Sequence, residues 1–312
     1  MTNLALTVKL KRGNFSLLVE ENIPLENVTV LFGESGSGKT TLLRIIAGLE
    51  KKAWGKVALG KTYWQNDETK TFLPPHKRSI GYVFQDNRLF NHLNVEGNLR
   101  FGHDRSDAKN GVQFNDVVDA LDLSNLLLRT PHSLSGGEKQ LVSIGRALLS
   151  DPELLLMDEP LSALDAKRKA EVIPYIEQLP SNFSIPVLYV THNLEEVTRL
   201  APNMLLISEG KIVADSTPAD LEAQSKYHHA VSVRLTSDYD LAADLSEVDG
   251  VGLVEQDQEE KFSYTILSGK GKPIFTQVSE IAQSKNWPVT EFHVSRGQLE
   301  DVFRTVTQGG EV

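Results

Sequence analysis

An α/β fold built on a mixed sheet, with a helical subdomain and a small α+β domain behind it, is what three features of the sequence predict. The first is a strand, a glycine loop and a helix in direct succession. The β-branched, apolar run Val28–Phe32 leads into Gly33-Glu34-Ser35-Gly36-Ser37-Gly38-Lys39-Thr40, and residues 41–47 start an apolar helix. The second is a pair of later apolar runs, 154–157 and 187–190, each delivering polar residues at its end, as buried strands of a parallel sheet do. The third is residues 231–312, where strand-like and helix-like segments follow the order β-α-β-β-α-β-α of a ferredoxin-like split unit.

The 312 residues are 40% hydrophobic, enough to bury a substantial core in one large domain and a smaller one. No run of about 18 apolar residues occurs, and the first residues enter an alternating pattern without a basic and then apolar leader. A cytosolic location is therefore expected. The absence of cysteine excludes disulfides, thiolate metal sites and cysteine nucleophiles. A net charge of −10 disfavours nonspecific nucleic-acid binding, so no nucleic-acid partner is expected.

Along the chain, residues 4–10 and 15–20 alternate around the basic turn Lys11-Arg12-Gly13-Asn14, which predicts an antiparallel hairpin ahead of the glycine loop. The first helix should end near Gly48, and residues 57–64 read as one further strand. Pro74 and Pro75 make 73–78 a loop, and 80–85 return to strand. Helical spacing of Val117, Val118, Leu121, Leu123, Leu126 and Leu127 places a helical subdomain at about 89–150. Residues 205–213 read as a hairpin turning at Glu209-Gly210.

The glycine loop fits the G-x-x-x-x-G-K-[ST] pattern without a mismatch, which marks a cradle for a nucleotide triphosphate. Its backbone N–H groups and the helix N-terminus favour phosphate, Lys39 reaches the outer phosphates, and Thr40 offers its hydroxyl to Mg²⁺. Asp158, at the end of an apolar strand, suits the Mg²⁺ shell. Glu159 follows where a carboxylate could orient a water toward the terminal phosphate. His192, at the tip of another buried strand, can contact the γ-phosphate and fix that water. Ser135-Gly136-Gly137 before a helical stretch is either a backbone anion site or a plain glycine cap.

Gly33 to Thr40, Gln85, Leu134 to Gln140, residues 156–160, residues 162–165 and His192 occur in this order, and together they resemble the ATP-binding subunit of ABC transporters. The resemblance covers residues 1–230 and implies a P-loop NTPase domain of that family, with ATP and Mg²⁺ as cofactors. Gly33, Glu34, Ser35, Gly36, Ser37, Gly38, Lys39, Thr40 and Thr41 would hold the nucleotide, and Thr40, Gln85 and Asp158 the metal. Gln85 would also link the attacking water to the membrane partner. Glu159 would be the catalytic base and His192 the γ-phosphate sensor. Ser135, Gly136 and Gly137 would face the ATP of a second subunit, with Asp165 at the seam of a head-to-tail homodimer. Phe15 is the aromatic nearest the usual adenine-stacking position, and it reads equally as a core phenylalanine.

Residues 73–93 and 98–102 resemble the molybdate importers of that superfamily. This implies a peripheral subunit on the inner face of the cell membrane, working with transmembrane permease subunits and a substrate-binding protein. Import of molybdate or a similar oxyanion is the leading reading and an exporter ATPase is the alternative; a soluble ABC ATPase that remodels nucleic acid or ribosomes is a third reading, disfavoured by the lack of a second cassette or a long coiled coil in the sequence. Residues 231–312 depart from the β-rich tail typical of molybdate importers, and residues 298–303 resemble the module behind exporter ATPases. This segment holds 14 acidic and 7 basic residues, a balance of −7 within the chain's −10, which argues against an oxyanion-binding module. A role in dimer contacts or regulation is expected for it.

Overall fold

The computed structural model describes residues 2–104, 111–246, 248–257, 260–269 and 271–307. Two compact units divide the chain, residues 1–216 and 217–312.

In the first unit, β1 (Thr2–Arg12) and β2 (Phe15–Leu25) form the expected antiparallel hairpin, with Thr2 opposite Leu25 and Arg12 opposite Phe15. Leu4, Leu6, Val8 and Leu10 alternate inward from β1 and are buried, the period-2 pattern of a sheet with one covered face. After β3 (Val28–Phe32) and α1 (Lys39–Ile46) come β4 (Trp54–Leu59), β5 (Thr62–Asn66) and the short β6 (Thr71–Phe72). They complete an antiparallel sheet of order β2-β1-β4-β5-β6. The single strand expected over 57–64 is thus two strands. Gly60, at φ 55°, turns the chain back so that Leu59 pairs with Thr62.

The second sheet takes β7 (Ile80–Val83), β8 (Leu154–Asp158), β9 (Val187–Thr191), β10 (Asn203–Ser208) and β11 (Lys211–Ser216), in the order β11-β10-β3-β9-β8-β7. The pairs β10·β3, β3·β9, β9·β8 and β8·β7 are parallel, and β11 closes one edge antiparallel. All five residues of β3, of β8 and of β9 are buried, which explains why these strands read as mostly apolar runs without alternation. Leu31, Leu156, Leu188 and Leu205 from this sheet join Leu43 and Ile46 of α1 and Leu6 and Val19 of the first sheet in one core. The helical subdomain is present as α2 (Val95–His103), α3 (Phe114–Ala120) and α4 (Gly136–Leu148), with α2 packed on α4. Helices α5 (Ala166–Phe183) and α6 (Leu194–Leu200) follow β8 and β9.

The second unit begins with α7 (Pro218–Glu222), ahead of the 230/231 division expected from the sequence. The reason is packing. Helix α7 contacts the last helix of the chain, Gly297 lies against the Glu222 carbonyl, and Ser225 Oγ donates to Asp301 Oδ2 at 2.9 Å. The rest is β12 (Val231–Leu235), α8 (Leu241–Leu245), β13 (Val251–Gln256), β14 (Ser263–Ser268), α9 (Phe275–Ser284), β15 (Val289–Val294) and α10 (Leu299–Thr307). The order read from periodicity holds element by element. The sheet order is β13-β14-β12-β15 with antiparallel pairs, the arrangement of a split β-α-β unit. Val231, Val233, Ile266, Val278 and Trp287 form its core, and Leu299, Val302 and Phe303 are buried on α10. The side chain of Val306, expected on the same helical stripe, lies outside the described residues.

Candidate functional site

The phosphate-loop pattern folds as a loop between the end of β3 and α1, tied down from several sides. Ser37 N donates to Glu34 O at 3.2 Å and Gly210 N to Ser37 O at 2.9 Å, so the β10–β11 turn is bonded to the loop. Gly33 is required by space, because a Cβ there would lie 2.2 Å from the Ile207 carbonyl. The hydroxyl Oγ of Ser37 is buried without a hydrogen-bond partner.

Lys39 is 4% exposed, and its Nζ donates to the carbonyls of Gly33 at 2.7 Å and Glu34 at 2.8 Å. Burial pushes its ammonium below the usual lysine range, while the Glu159, Asp158 and Glu34 carboxylates pull the other way. A buried cation with carboxylates near it and an open cavity in front is primed for an anionic ligand that would offset its desolvation. That cavity is about 320 Å³ and is lined by Arg12, Phe15, Ser35, Gly36, Gly38, Lys39, Thr40, Thr41 and Glu159.

Strand β8 brings two carboxylates to the loop. Thr40 Oγ1 donates to Asp158 Oδ1 at 2.8 Å, and the Tyr82 hydroxyl donates to Asp158 Oδ2 at 2.9 Å. Burial, and then the Asp158 charge, raise the Tyr82 phenol far above its ordinary value, so it stays a donor. A hydroxyl and a carboxylate in contact are hard oxygen ligands of the kind Mg²⁺ takes alongside waters and substrate phosphates. Among the described residues, no three or more His, Asp or Glu side chains converge on a metal position. The donor set therefore fits an ion held by few protein ligands and completed by its substrate.

Glu159 sits one residue past β8 at φ 46°, a left-handed backbone that costs a non-glycine residue about 1–2 kcal/mol. Neighbours hold it there, its N–H donating to Val190 O at 3.0 Å and its carbonyl accepting from Ser162 Oγ at 2.9 Å. The turn aims the carboxylate between two groups. Lys39 Nζ lies 3.7 Å from Oε1, and His192 Nδ1 lies 3.2 Å from Oε2.

Lys39, Thr40, Asp158, Glu159 and His192 are thus brought together at one place. Gln85 is exposed in the turn after β7, at the same end of the sheet. Ser135, Gly136 and Gly137 open α4 as a separate group. Ser135 and Glu138 form a reciprocal capping box, with Ser135 N donating to Glu138 Oε2 at 2.6 Å, and a Cβ on Gly136 would meet Leu164 at 2.9 Å. The cap of α4 is thus the Ser135 side chain, with Gly136 and Gly137 as the first helical residues. Asp165 caps α5, accepting from Arg168 N at 2.9 Å. Phe15 lines the cavity and also packs against the core, so both of its readings have a physical basis.

Tyr82 and Arg12 belong to this site and escaped sequence reasoning. Tyr82 sits in β7, paired in parallel with Leu156 of β8, and only that register brings its hydroxyl to Asp158. Arg12 lines the cavity while paired with Glu50.

Residues 19–162 match the model of a family described as ABC transporter. The chain is 50% identical over 214 residues to the molybdenum import ATP-binding protein ModC of Pseudomonas fluorescens, covering 68% of this chain and 59% of that protein. It is 47% identical over 221 residues to ModC of Albidiferax ferrireducens, with 70% and 60% covered, and 49% identical over 210 residues to ModC of Photobacterium profundum, with 67% and 58% covered. The matches span 58–60% of the length of these relatives and leave roughly a third of this chain outside them.

Proposed function

We propose, from the premise that this chain carries an ABC transporter ATP-binding domain, that it hydrolyses ATP to power the import of molybdate or a similar oxyanion across a membrane. The observation that carries the hydrolytic part is the meeting of the Lys39–Glu159–His192 line with the Thr40–Asp158 pair at one phosphate loop.

In this reading Gly33, Glu34, Ser35, Gly36, Ser37, Gly38 and Thr41 cradle the phosphates through the backbone, and Lys39 exchanges its carbonyl partners for phosphate oxygens. Thr40, Asp158 and Gln85 would hold Mg²⁺, which when bound neutralises charge developing on the transferred phosphoryl group. Tyr82 keeps the Asp158 carboxylate facing Thr40. Glu159 accepts the proton of the attacking water as general base, and His192 orients that water and senses the γ-phosphate. Ser135, Gly136, Gly137 and Asp165 would complete the site across a homodimer seam. The exposed Ser135–Glu138 cap, occupied by its own side chains in the free chain, suits a late-arriving partner.

The printed names of the relatives support import over export, and the subfamily-like stretches 73–93 and 98–102 agree. Among the described residues no helix is long and apolar enough to cross a membrane. Transmembrane permease subunits would therefore carry the path, with a substrate-binding protein supplying the oxyanion and this subunit lying on the cytoplasmic face. The second unit would serve dimer contacts or regulation. Saturable molybdate binding by the full chain in calorimetry, against its acidic balance, would overturn that assignment. For the function as a whole, cells lacking the protein should fail to accumulate molybdate at low external supply and recover with the wild-type chain. Normal uptake without it would contradict the reading.

A further inference from the structure

Behind the His192–Glu159 pair lies a buried carboxylate with no role in the chemistry above. Glu196, in the first turn of α6, is 2% exposed. Its Oε2 accepts from the Thr191 hydroxyl at 2.7 Å and from the Tyr189 hydroxyl at 2.9 Å, and its Oε1 accepts from Lys169 Nζ at 2.8 Å. These partners come from β9, which ends beside His192, and from α5, which begins after the loop leaving Glu159. One carboxylate therefore ties together the segments that present both residues.

The Thr191 hydroxyl makes the link directional. It donates its proton to Glu196 and accepts from the Asn193 N–H at 3.0 Å, so one oxygen brackets His192 from both sides of the chain. Asn193 Oδ1 in turn accepts from the N–H groups of Glu195 and Glu196, fixing the start of α6. His192 itself is half-exposed and meets Glu159 at its ring Nδ1, so its orientation follows from the backbone that Thr191 and Asn193 lock. An ionised carboxylate only accepts, which compels both hydroxyls to donate and leaves the Thr191 lone pairs for Asn193. An amide at the same place would present N–H groups to Thr191 or to Lys169 and break that order. Burial and the Glu196 charge push the Tyr189 phenol well above its usual range, which keeps that donor in place.

We propose that Glu196 is the positioning residue that sets His192 against Glu159, acting through Thr191 and Lys169; the proposal rests on the hydrolytic roles assigned above to His192 and Glu159. Retaining a buried ion pair with hydroxyl partners beside this loop is then explained by what the pair holds still.

The test uses the full chain with Glu196→Gln, Thr191→Val and Thr191→Ser, and the exposed neighbour Glu195→Gln as control. Glu196→Gln and Thr191→Val should lower kcat roughly tenfold or more, the scale expected when a catalytic group is displaced, with the KM for ATP unchanged. Thr191→Ser keeps the hydroxyl and should restore turnover to near normal, as should Glu195→Gln. In a His192→Ala background, Glu196→Gln should produce no further loss. An equal loss in both backgrounds would overturn the proposal, as would normal turnover by Thr191→Val. A second readout needs no turnover. The ring ¹⁵N resonances of His192, assigned by their disappearance in His192→Ala, should shift in Glu196→Gln and not in Glu195→Gln; unchanged resonances in Glu196→Gln would also overturn it. If His192→Ala and Glu159→Gln hydrolysed ATP normally, the assigned chemistry would fall, and the resonance shift would still decide whether Glu196 places His192.

Discussion

At the phosphate loop, Lys39, Thr40, Asp158, Glu159 and His192 arrive from separate parts of the chain and are linked at 2.8–3.7 Å, with Lys39 and Asp158 buried. In the C-terminal unit the charges sit mostly on the surface, as where Arg234 pairs with Glu260 and Glu291. There Asp244 accepts from Trp287 Nε1 at 2.8 Å and from the Tyr239 hydroxyl at 2.9 Å. Those partners also belong to or border that unit's core. Lys39 at the phosphate loop is buried and faces a cavity, whereas the half-buried Asp244 braces α8 against the α9–β15 connection. The same residue types therefore mark chemistry in one unit and architecture in the other.

Substitutions can separate the two. The largest effect is expected for Lys39→Ala, which removes a charged donor from the phosphates. ATP affinity should fall by about 10- to 100-fold in calorimetry, in line with the loss of hydrogen bonds to a charged group, while the fold persists. Unaltered affinity would place Lys39 with the bracing charges. Next comes Gly33→Ala, where the added methyl meets the Ile207 carbonyl. It should destabilise the first unit by about 1–3 kcal/mol in urea unfolding, as overpacking does, and weaken nucleotide binding with it.

A smaller, pH-dependent effect is expected at Asp244. Its hydrogen bonds from Trp287 and Tyr239, with Lys285 nearby, hold its carboxyl below the usual aspartate value of 3.8. A depressed carboxylate contributes stability that is present above that ordinary value and is lost as pH falls through the lower folded one. Melting temperatures of wild type and Asp244→Asn should therefore differ at neutral pH and converge in acid below pH 3.8, with ATP hydrolysis unaffected throughout. A change in turnover would show that the second unit reaches the catalytic residues.

Legibility in the sequence followed the same division. The glycine loop could be read because phosphate binding needs specific residues at fixed spacing, and β3, β8 and β9 could be read because strands covered on both faces are mostly apolar. The second unit was legible as β-α-β-β-α-β-α because its elements are short apolar segments separated by polar turns. Tyr82 was hidden because its contact with Asp158 depends on β7 lying beside β8, a register that no local pattern encodes. The break at Gly60 was hidden because strand-forming residues stand on both sides of the short Gly60-Lys61 turn, so the two strands read as one. The start of the second unit was hidden because α7 earns its membership by packing on α10, a contact distant in sequence.

Hydrolysis and ATP retention by Glu159→Gln test the central claim most directly, since this change keeps the shape and removes only the basic carboxylate. Turnover should fall by roughly 100-fold or more, as expected for loss of a general base, while ATP affinity is retained and an ATP-bound dimer accumulates. Near-normal hydrolysis by this variant would contradict the assignment of Glu159 as the base.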